Sequence, residues 1–500
     1  MPVYPFSQAY YDVVVIGGGA SAVAVLVALE ETGDFRGSVA IVDPASRLSL
    51  GQGVAYGAAR STHLLNVPAG RMGLSIHNPA DFLQWARAHG VKAQAGDFLP
   101  RRLYGSYLSS HLVTSSVNWS HLRGEAVDVQ PTGACWLVTL NDQRRFRAGA
   151  VVLAVGGPAS APLPWSGPAD SRPNTLIDDP WPLYSDGDDR WISSLSARLV
   201  PTSGPVLIVG SGLTMIDMVL SLRQARAAGD IHVLSRRGLW PLPYGTSSPL
   251  PPEMATAVKL WTLSARQGQP LSRLWQGIRH LIRQHQGNGG DWRDVIEAVR
   301  HHLPALWPVL SDDDKRRFLR HGLPYWSIHR HRLPEQHVET LNALRQEGRL
   351  HSHKGRLHGL SAVERQTGRP LGIKAEFTPR GKGTVEHLTV DWVYNCTGGS
   401  FDISKPESPL IQRLWQRGLL QQGPAGLGVD VNTSGCVGSE HGGLYLIGPL
   451  ARGRQWETTA IPDIRVQAAR LATSLLRHQG GQSPRRNTVA WLRMQLSPSL

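Results

Sequence analysis

The chain has 500 residues, 41% hydrophobic and 18% charged, and its 52 Lys+Arg against 38 Asp+Glu give a net charge of +14. That length exceeds one ordinary core, so two or three subdomains are expected, and the apolar content excludes a disordered chain. The 53 Gly and 35 Pro stay below the roughly 25–30% that marks low complexity; the basic excess is mostly Arg, which reads first as solvated surface and also suits carboxylate or phosphate binding.

At the start, no Lys or Arg precedes Arg36, so the basic region of a signal peptide is missing. The longest apolar stretch, Val13 to Leu29, is interrupted by Gly17-Gly18-Gly19 and does not read as a membrane span. Cys135, Cys396 and Cys436 form no CxxC pair, which argues against a disulfide framework or a redox dithiol. A cytoplasmic protein without a membrane partner is the expectation.

Tyr11-Asp12-Val13-Val14-Val15-Ile16 reads as a buried strand, and Gly17-Gly18-Gly19-Ala20-Ser21-Ala22 follows it and opens a helix of small apolar residues. This is GxGxxA between strand and helix. Gly17 permits the tight turn, Gly19 lets a pyrophosphate approach the backbone, and Ala22 keeps helix and strand close. The amides of Ala20 and Ser21, at the helix start, are offered to the phosphates. The next strand, Val39 to Val42, ends in Asp43, an acid suited to a ribose hydroxyl. Ala150 to Gly157 is another apolar strand ending in glycines.

Nine prolines between Pro158 and Pro205 mark a crossing between domains. A second strand, Pro205 to Val209, runs into Gly210-Ser211-Gly212-Leu213-Thr214-Met215 and a second helix. Met215 stands where the third small residue is expected, and so bulky a side chain would separate helix from strand. The strand Ile231 to Leu234 ends in Ser235-Arg236-Arg237 rather than an acid. An Arg pair binds a 2′-phosphate that a carboxylate would repel, so NADPH is favoured over NADH.

From about 251 to 345 the pattern is helical: Leu271, Leu274, Ile278, Leu281 and Ile282 recur at three- and four-residue steps. The run Arg317 to Arg332 is dense in Arg, His and aromatics. It lacks HExxH, and no metal is expected. Nucleic-acid binding, an anionic small-molecule site or clamp on the NADPH phosphates, and a structural Arg network all remain open for it. His329, Arg330 and Arg332 are its candidate substrate residues. Strands return from about 357 to 394; Asp391 to Gly399 and Gly443 to Pro449 are two more strand–glycine runs, and Ile464, Ala468, Leu471 and Leu475 mark a last helix.

The chain resembles the flavoproteins with two dinucleotide-binding domains, over about residues 11–475. The residues that carry this are Gly17-x-Gly19, Gly210-x-Gly212, Asn395-Cys396-Thr397-Gly398 and Leu446-Ile447-Gly448. Gly51 to Gly57, His63 to Pro68, Phe82 to Trp85 and Gly448 to Arg465 are similar to a bacterial FAD/NAD(P)-binding group related to N-hydroxylating and class B flavin monooxygenases, one branch of which resembles aspartate N-hydroxylases. The resemblance implies an α/β fold of two Rossmann-like domains, the NADPH domain inserted in the FAD domain, with a mainly helical insertion. It places FAD binding on 1–160 and 391–480, NADPH binding on 205–250 and 346–390, a crossing on 161–204, helices on 251–345 and a tail on 481–500.

It also implies that Gly53, Tyr56, Asn66, Val67, Gly448, Trp456 and Thr458 line the FAD, with Asn66 and Arg71 catalytic beside the flavin. Pro449 follows Gly448 where this superfamily has an Asp, leaving a backbone amide or Glu457 for the ribityl chain. The expected function is an FAD-dependent, NADPH-using monooxygenase working through a C4a-hydroperoxyflavin, acting with oxygen on a small amine or amino acid. The alternatives are an NADPH oxidase or oxidoreductase without oxygen insertion, and a non-catalytic FAD/NADPH-binding module. A nucleic-acid partner is not expected, and an oligomer is possible.

Overall fold

The computed structural model describes residues 9–57, 62–181, 204–225, 227–245, 247–363, 372–406, 408–438 and 442–478. Most of the Pro-rich crossing beyond 181 and the expected tail at 481–500 lie outside the described residues. The chain forms two seven-stranded sheets with helices on their faces and a helical block between them, the two-Rossmann α/β class expected from the sequence.

In the first sheet β1 (Tyr10–Ile16), β2 (Ser38–Asp43), β3 (Asn118–Arg123) and β6 (Arg145–Leu153) lie parallel in the order β3-β2-β1-β6. The antiparallel β4 (Ala126–Thr132) and β5 (Cys135–Leu140) continue from β6. The last strand, β14 (Leu444–Leu446), pairs with β6 in parallel. β1 is covered on both faces, which is why it reads as a continuous apolar run. Val13 and Val15 pack towards α1 (Ala20–Glu31) and α13 (Ile461–His478), while Val14 and Ile16 pack towards α12 (Pro409–Gln416). α1 lies between the sheet and α13, so it is apolar all round.

The second sheet has the order β12-β11-β10-β9-β8-β13-β7. Its parallel part is β10 (Leu350–Val363), β9 (Ile231–Ser235), β8 (Val206–Val209), β13 (Trp392–Asn395) and the short β7 (Leu176–Ile177); β11 (Gly372–Pro379) and β12 (Glu386–Val390) are antiparallel. The chain leaves the first sheet after β6 and returns to it at β14, so the second sheet is an insertion; β13, expected from 391 onward in the FAD domain, pairs instead with β8 and belongs to the second sheet. α5 (Leu213–Gln224) links β8 to β9.

Between β9 and β10 stand α6 (Pro252–Arg266), α7 (Leu271–Gly287), α8 (Trp292–Leu306), α9 (Asp312–Arg317), α10 (Leu323–Arg330) and α11 (Glu335–Gln346). Asp291 and Asp294 form a capping box that starts α8. α9 is bounded by the Ser311 cap, with Asp312–Asp314 in its first turn and Lys315–Arg317 in its last, as the helix dipole favours. A π turn, Phe318–Gly322, joins α9 to α10. The block packs around Trp261, Trp307 and Trp326, and Trp456 of the first unit enters the same cluster.

Candidate active site

The first glycine turn is built as expected. Gly17 has φ +102°, and a Cβ there would sit 2.3 Å from the Ala154 carbonyl oxygen. Gly19 is the N-cap of α1; no side chain caps that helix end, whose first turn holds Ala20, Ser21 and Ala22. Gly53 faces Gly19 so closely that a Cβ on it would lie 3.1 Å from the Gly19 Cα. Gly448, with φ +95°, closes the other side against Ser21 Oγ. Asp43 Oδ2 accepts from Gly18 N at 2.6 Å and Oδ1 from Ala45 N at 2.8 Å, so this carboxylate first fastens the turn. Tyr56 packs at a tilt against Tyr104, and burial pushes its phenol up to about 12. Val67 is buried.

The loop after Tyr56 is held from two directions. His63 Nε2 lies 2.9 Å from Ser221 Oγ on α5, and Arg101, which donates to the Leu64 carbonyl, pairs with Asp217 of α5 at 2.8 Å. Arg71 pairs with Glu297 on α8 at 2.6 Å. Between these anchors Asn66 is half-buried, and its amide makes no hydrogen bond among the described residues.

The second glycine turn repeats the first. Gly210 has φ +109°, and a Cβ would meet the Cys396 carbonyl oxygen at 2.2 Å. Gly212 is open and caps α5, whose first residues are Leu213 and Thr214. Met215 is fully buried among Ile208, Val219 and Leu341, so the helix seats on the sheet with Met215 as core. Ser235 Oγ accepts from Gly238 N. Arg236 is exposed and has no acidic partner among the described residues. Arg237 donates to the Arg320 carbonyl at 3.0 Å and lies 5.4 Å from the Tyr325 ring. Lys354, in register with Ser235 on β10, is a third, exposed cation at this strand end that sequence reading missed.

Beside the loop that carries Arg71, a cleft of about 910 Å³ opens between α8 and the start of α13. Arg71, Arg300, Arg454, Arg465 and Arg470 line it against Asp430, Glu457 and Asp463. Arg300 reaches Asp463 at 3.2 Å and Glu297 at 3.3 Å. Burial alone would push the Glu297 carboxyl up, but the Arg71 and Arg300 guanidiniums outweigh it and hold it at about 2. Arg454 pairs with Asp430 through two hydrogen bonds of 3.0 Å. Arg465 and Arg470 have no carboxylate within ion-pair distance among the described residues.

Trp456 is buried, packed at a tilt against Trp307 with ring centroids 4.3 Å apart, and covered by Arg452 at 4.2 Å. Thr458 is fully buried with its hydroxyl unpartnered; Gln467 accepts from Gly448 N while its amide nitrogen is unpartnered. Unsatisfied buried polar atoms beside a glycine cradle fit a polar ligand such as a dinucleotide cofactor.

The Arg- and His-rich segment is placed between the units. Arg330 is buried and donates to Glu457 at 3.1 Å, so Glu457 is engaged by an arginine. Arg332 is buried, 3.6 Å from Glu297 and over the Tyr244 ring. His329 contacts the Tyr325 carbonyl and the Trp292 edge. Burial, with Arg330, Arg452 and Arg300 nearby, holds His331 at about 3 and hence neutral. Glu297, Arg300, Asp463 and Gln467 escaped the sequence reading. For Asp463 and Gln467 the signal was a polar stripe, Asp463, Gln467 and Arg470, beside the apolar stripe of the last helix.

Residues 14–158 match a family profile described as FAD-NAD(P)-binding; the first unit is a domain of that kind. No curated protein sequence gives a significant match. Solved structures share the whole architecture. The ornithine N-hydroxylase of Kutzneria sp. 744, with reduced FAD, NADP+ and L-ornithine, is 14% identical with a TM-score of 0.60, covering 94% of this chain and 100% of its own. The L-lysine 6-monooxygenase of Pseudomonas syringae is 16% identical with a TM-score of 0.61, covering 94% and 99%. The FAD-bound cadaverine monooxygenase of Erwinia amylovora is 13% identical with a TM-score of 0.62, covering 94% and 95%. At these identities the likeness is one of fold. Among the described residues no helix is long and apolar enough to cross a membrane.

Proposed function

We propose that the chain is an FAD-dependent, NADPH-using monooxygenase that N-hydroxylates a small amine bearing a carboxylate, such as an amino acid. The observation that carries this reading is the juxtaposition of two glycine cradles, one on each sheet, with an arginine-lined cleft at the start of α13. FAD, when bound, supplies the redox chemistry with oxygen. The chain's own part is binding and orientation. Gly17, Gly19, Gly53 and Gly448 leave backbone room for the pyrophosphate at the start of α1. Gly210 and Gly212 do the same at α5, with Arg236 and Lys354 at the strand ends for a 2′-phosphate. Asn66 offers one amide donor and acceptor pair from a loop anchored on both α5 and α8.

The three enzymes named above are named for ornithine, lysine and cadaverine, and the amine as reacting group is carried over from them. The carboxylate is inferred from the cleft itself, where five arginines face three acids. A guanidinium binds a carboxylate through two parallel hydrogen bonds, and this excess of cations disfavours a diamine. Trp456, backed by Trp307, gives the cleft an apolar wall.

The test is rapid mixing of the NADPH-reduced holoenzyme with oxygenated buffer, with and without a panel of amino acids and diamines. The expected record has a transient absorbance distinct from both reduced and oxidised flavin. One carboxylate-bearing amine should gain a single oxygen by mass spectrometry. Immediate return of oxidised flavin with stoichiometric peroxide, whatever amine is present, would instead establish an oxidase.

A further inference from the structure

We propose that the chain binds one divalent transition-metal ion of the zinc class at Asp230, His232 and His351, on the second sheet. β9 and β10 run parallel with His232 directly opposite His351, so both rings leave the same face. Asp230 precedes β9 and shares that face at a two-residue step from His232. One carboxylate oxygen and one nitrogen from each ring lie within 4.8 Å of one another. The two rings are stacked, with centroids 4.8 Å apart.

The spacing of one pair already fits coordination. Zinc takes His and Asp ligands at about 2.1 Å, which in a tetrahedral shell sets neighbouring donor atoms about 3.4 Å apart. His351 Nε2 and Asp230 Oδ2 are 3.4 Å apart, and this nitrogen makes no hydrogen bond. Small ring rotations bring His232 into the same shell.

His353 supplies the outer contact. It lies two residues beyond His351 on the same face, and its Nε2 is 3.0 Å from His232 Nδ1. A hydrogen bond from the far nitrogen is how ligating histidines are commonly oriented, and it leaves His232 Nε2 for the ion. Two imidazoles and a carboxylate suit zinc, nickel or copper rather than calcium or magnesium, which prefer oxygen. Asp230 is half exposed, so water completes the shell.

The cluster stands at the start of β9, whereas the Gly210 turn follows the far end of the neighbouring β8. The ion therefore ties β9 to β10 and takes no part in nucleotide chemistry.

The experiment is a calorimetric titration of the full-length holoprotein with Zn2+, alongside electron paramagnetic resonance with Cu2+; oxidised flavin contributes no signal to the latter. One equivalent of Zn2+ and coupling of Cu2+ to two nitrogens are expected. His232→Gln and His351→Gln should each weaken Zn2+ binding at least tenfold, and Asp230→Asn, at a half-exposed side chain, should weaken it less, all with unchanged FAD content and NADPH oxidation. Absence of stoichiometric binding, Cu2+ signals without nitrogen coupling, or full binding in the His232→Gln/His351→Gln double variant would overturn the site. Should the histidine variants fail to fold, the nitrogen count on the unaltered protein and the response of Asp230→Asn decide.

Discussion

Arg236 and Arg237 are neighbours in sequence but not in role. Arg236 is exposed and unpaired among the described residues, whereas Arg237 is held by the Arg320 carbonyl and the Tyr325 ring. A hydrogen bond to a charged group contributes about 1.5–3 kcal/mol, or roughly a ten- to hundredfold change in affinity. Replacing both arginines with Ala should raise the NADPH Michaelis constant by that order and leave NADH nearly unchanged, with Arg236→Ala alone producing most of the effect. Steady-state oxidation of both nucleotides checks this; equal losses with NADPH and NADH would remove the 2′-phosphate from this strand end. The Arg pair was legible because the residue type at the end of the second strand of such a fold is informative. Lys354 was not, because it reaches the same point from a strand 119 positions later in the chain, brought there only by register with Ser235.

The element scale explains why Met215 does not spoil its helix. In the first turn the third motif position is Ala22, and α1 needs small residues because it lies between the sheet and α13. α5 packs instead against Leu341 and Leu344 of α11, and Met215 fills the space between them and β8. Its truncation to Ala should therefore leave a cavity and cost about 2–5 kcal/mol. A thermal melt is expected to show the loss, with no gain in NADPH affinity. A rise in affinity without loss of stability would mean that the side chain obstructs the nucleotide. Both strand–glycine–helix units were visible in the sequence because each is built from contiguous residues with a clear period. The loop from 62 to 71 has no period, and its placement follows from His63 on α5 and Arg71 on α8.

Across the molecule, one ionic network joins the loop after the first glycine turn, the helical block and the last helix. Arg71 and Arg332 meet Glu297, Arg300 spans Glu297 and Asp463, and Arg330 meets Glu457 and Asp463. Glu297 is held at about 2 in the folded chain, below the roughly 4.3 of an unfolded Glu. A carboxylate depressed in this way stabilises the fold above its unfolded pKa, and that contribution disappears as pH falls towards the folded value. Melting temperature should therefore stay level above about pH 5 and decline between about pH 4.5 and 2. Glu297→Gln should be less stable at neutral pH, where Arg71 and Arg332 lose their common partner, and should show a shallower acid decline. An unchanged acid profile in that variant would show that other carboxylates control it.

The two strand–glycine–helix turns and the helical character of the block between the sheets were legible from the chain alone, because each depends on periodicity and backbone freedom within a few dozen residues; the strand at 392–395, read with the FAD domain, went to the second sheet, because strand partners are set by tertiary pairing. The sequence also pointed to the Arg–His segment as unusual, leaving several roles open. Packing in three dimensions was needed to show that Arg330 and Arg332 are buried partners of Glu457, Asp463 and Glu297, that five arginines converge on one cleft, and that His232 and His351 stand side by side. Ion pairs and ligand clusters depend on distances of a few ångströms between residues far apart in the chain, and strand register and helix packing set those distances.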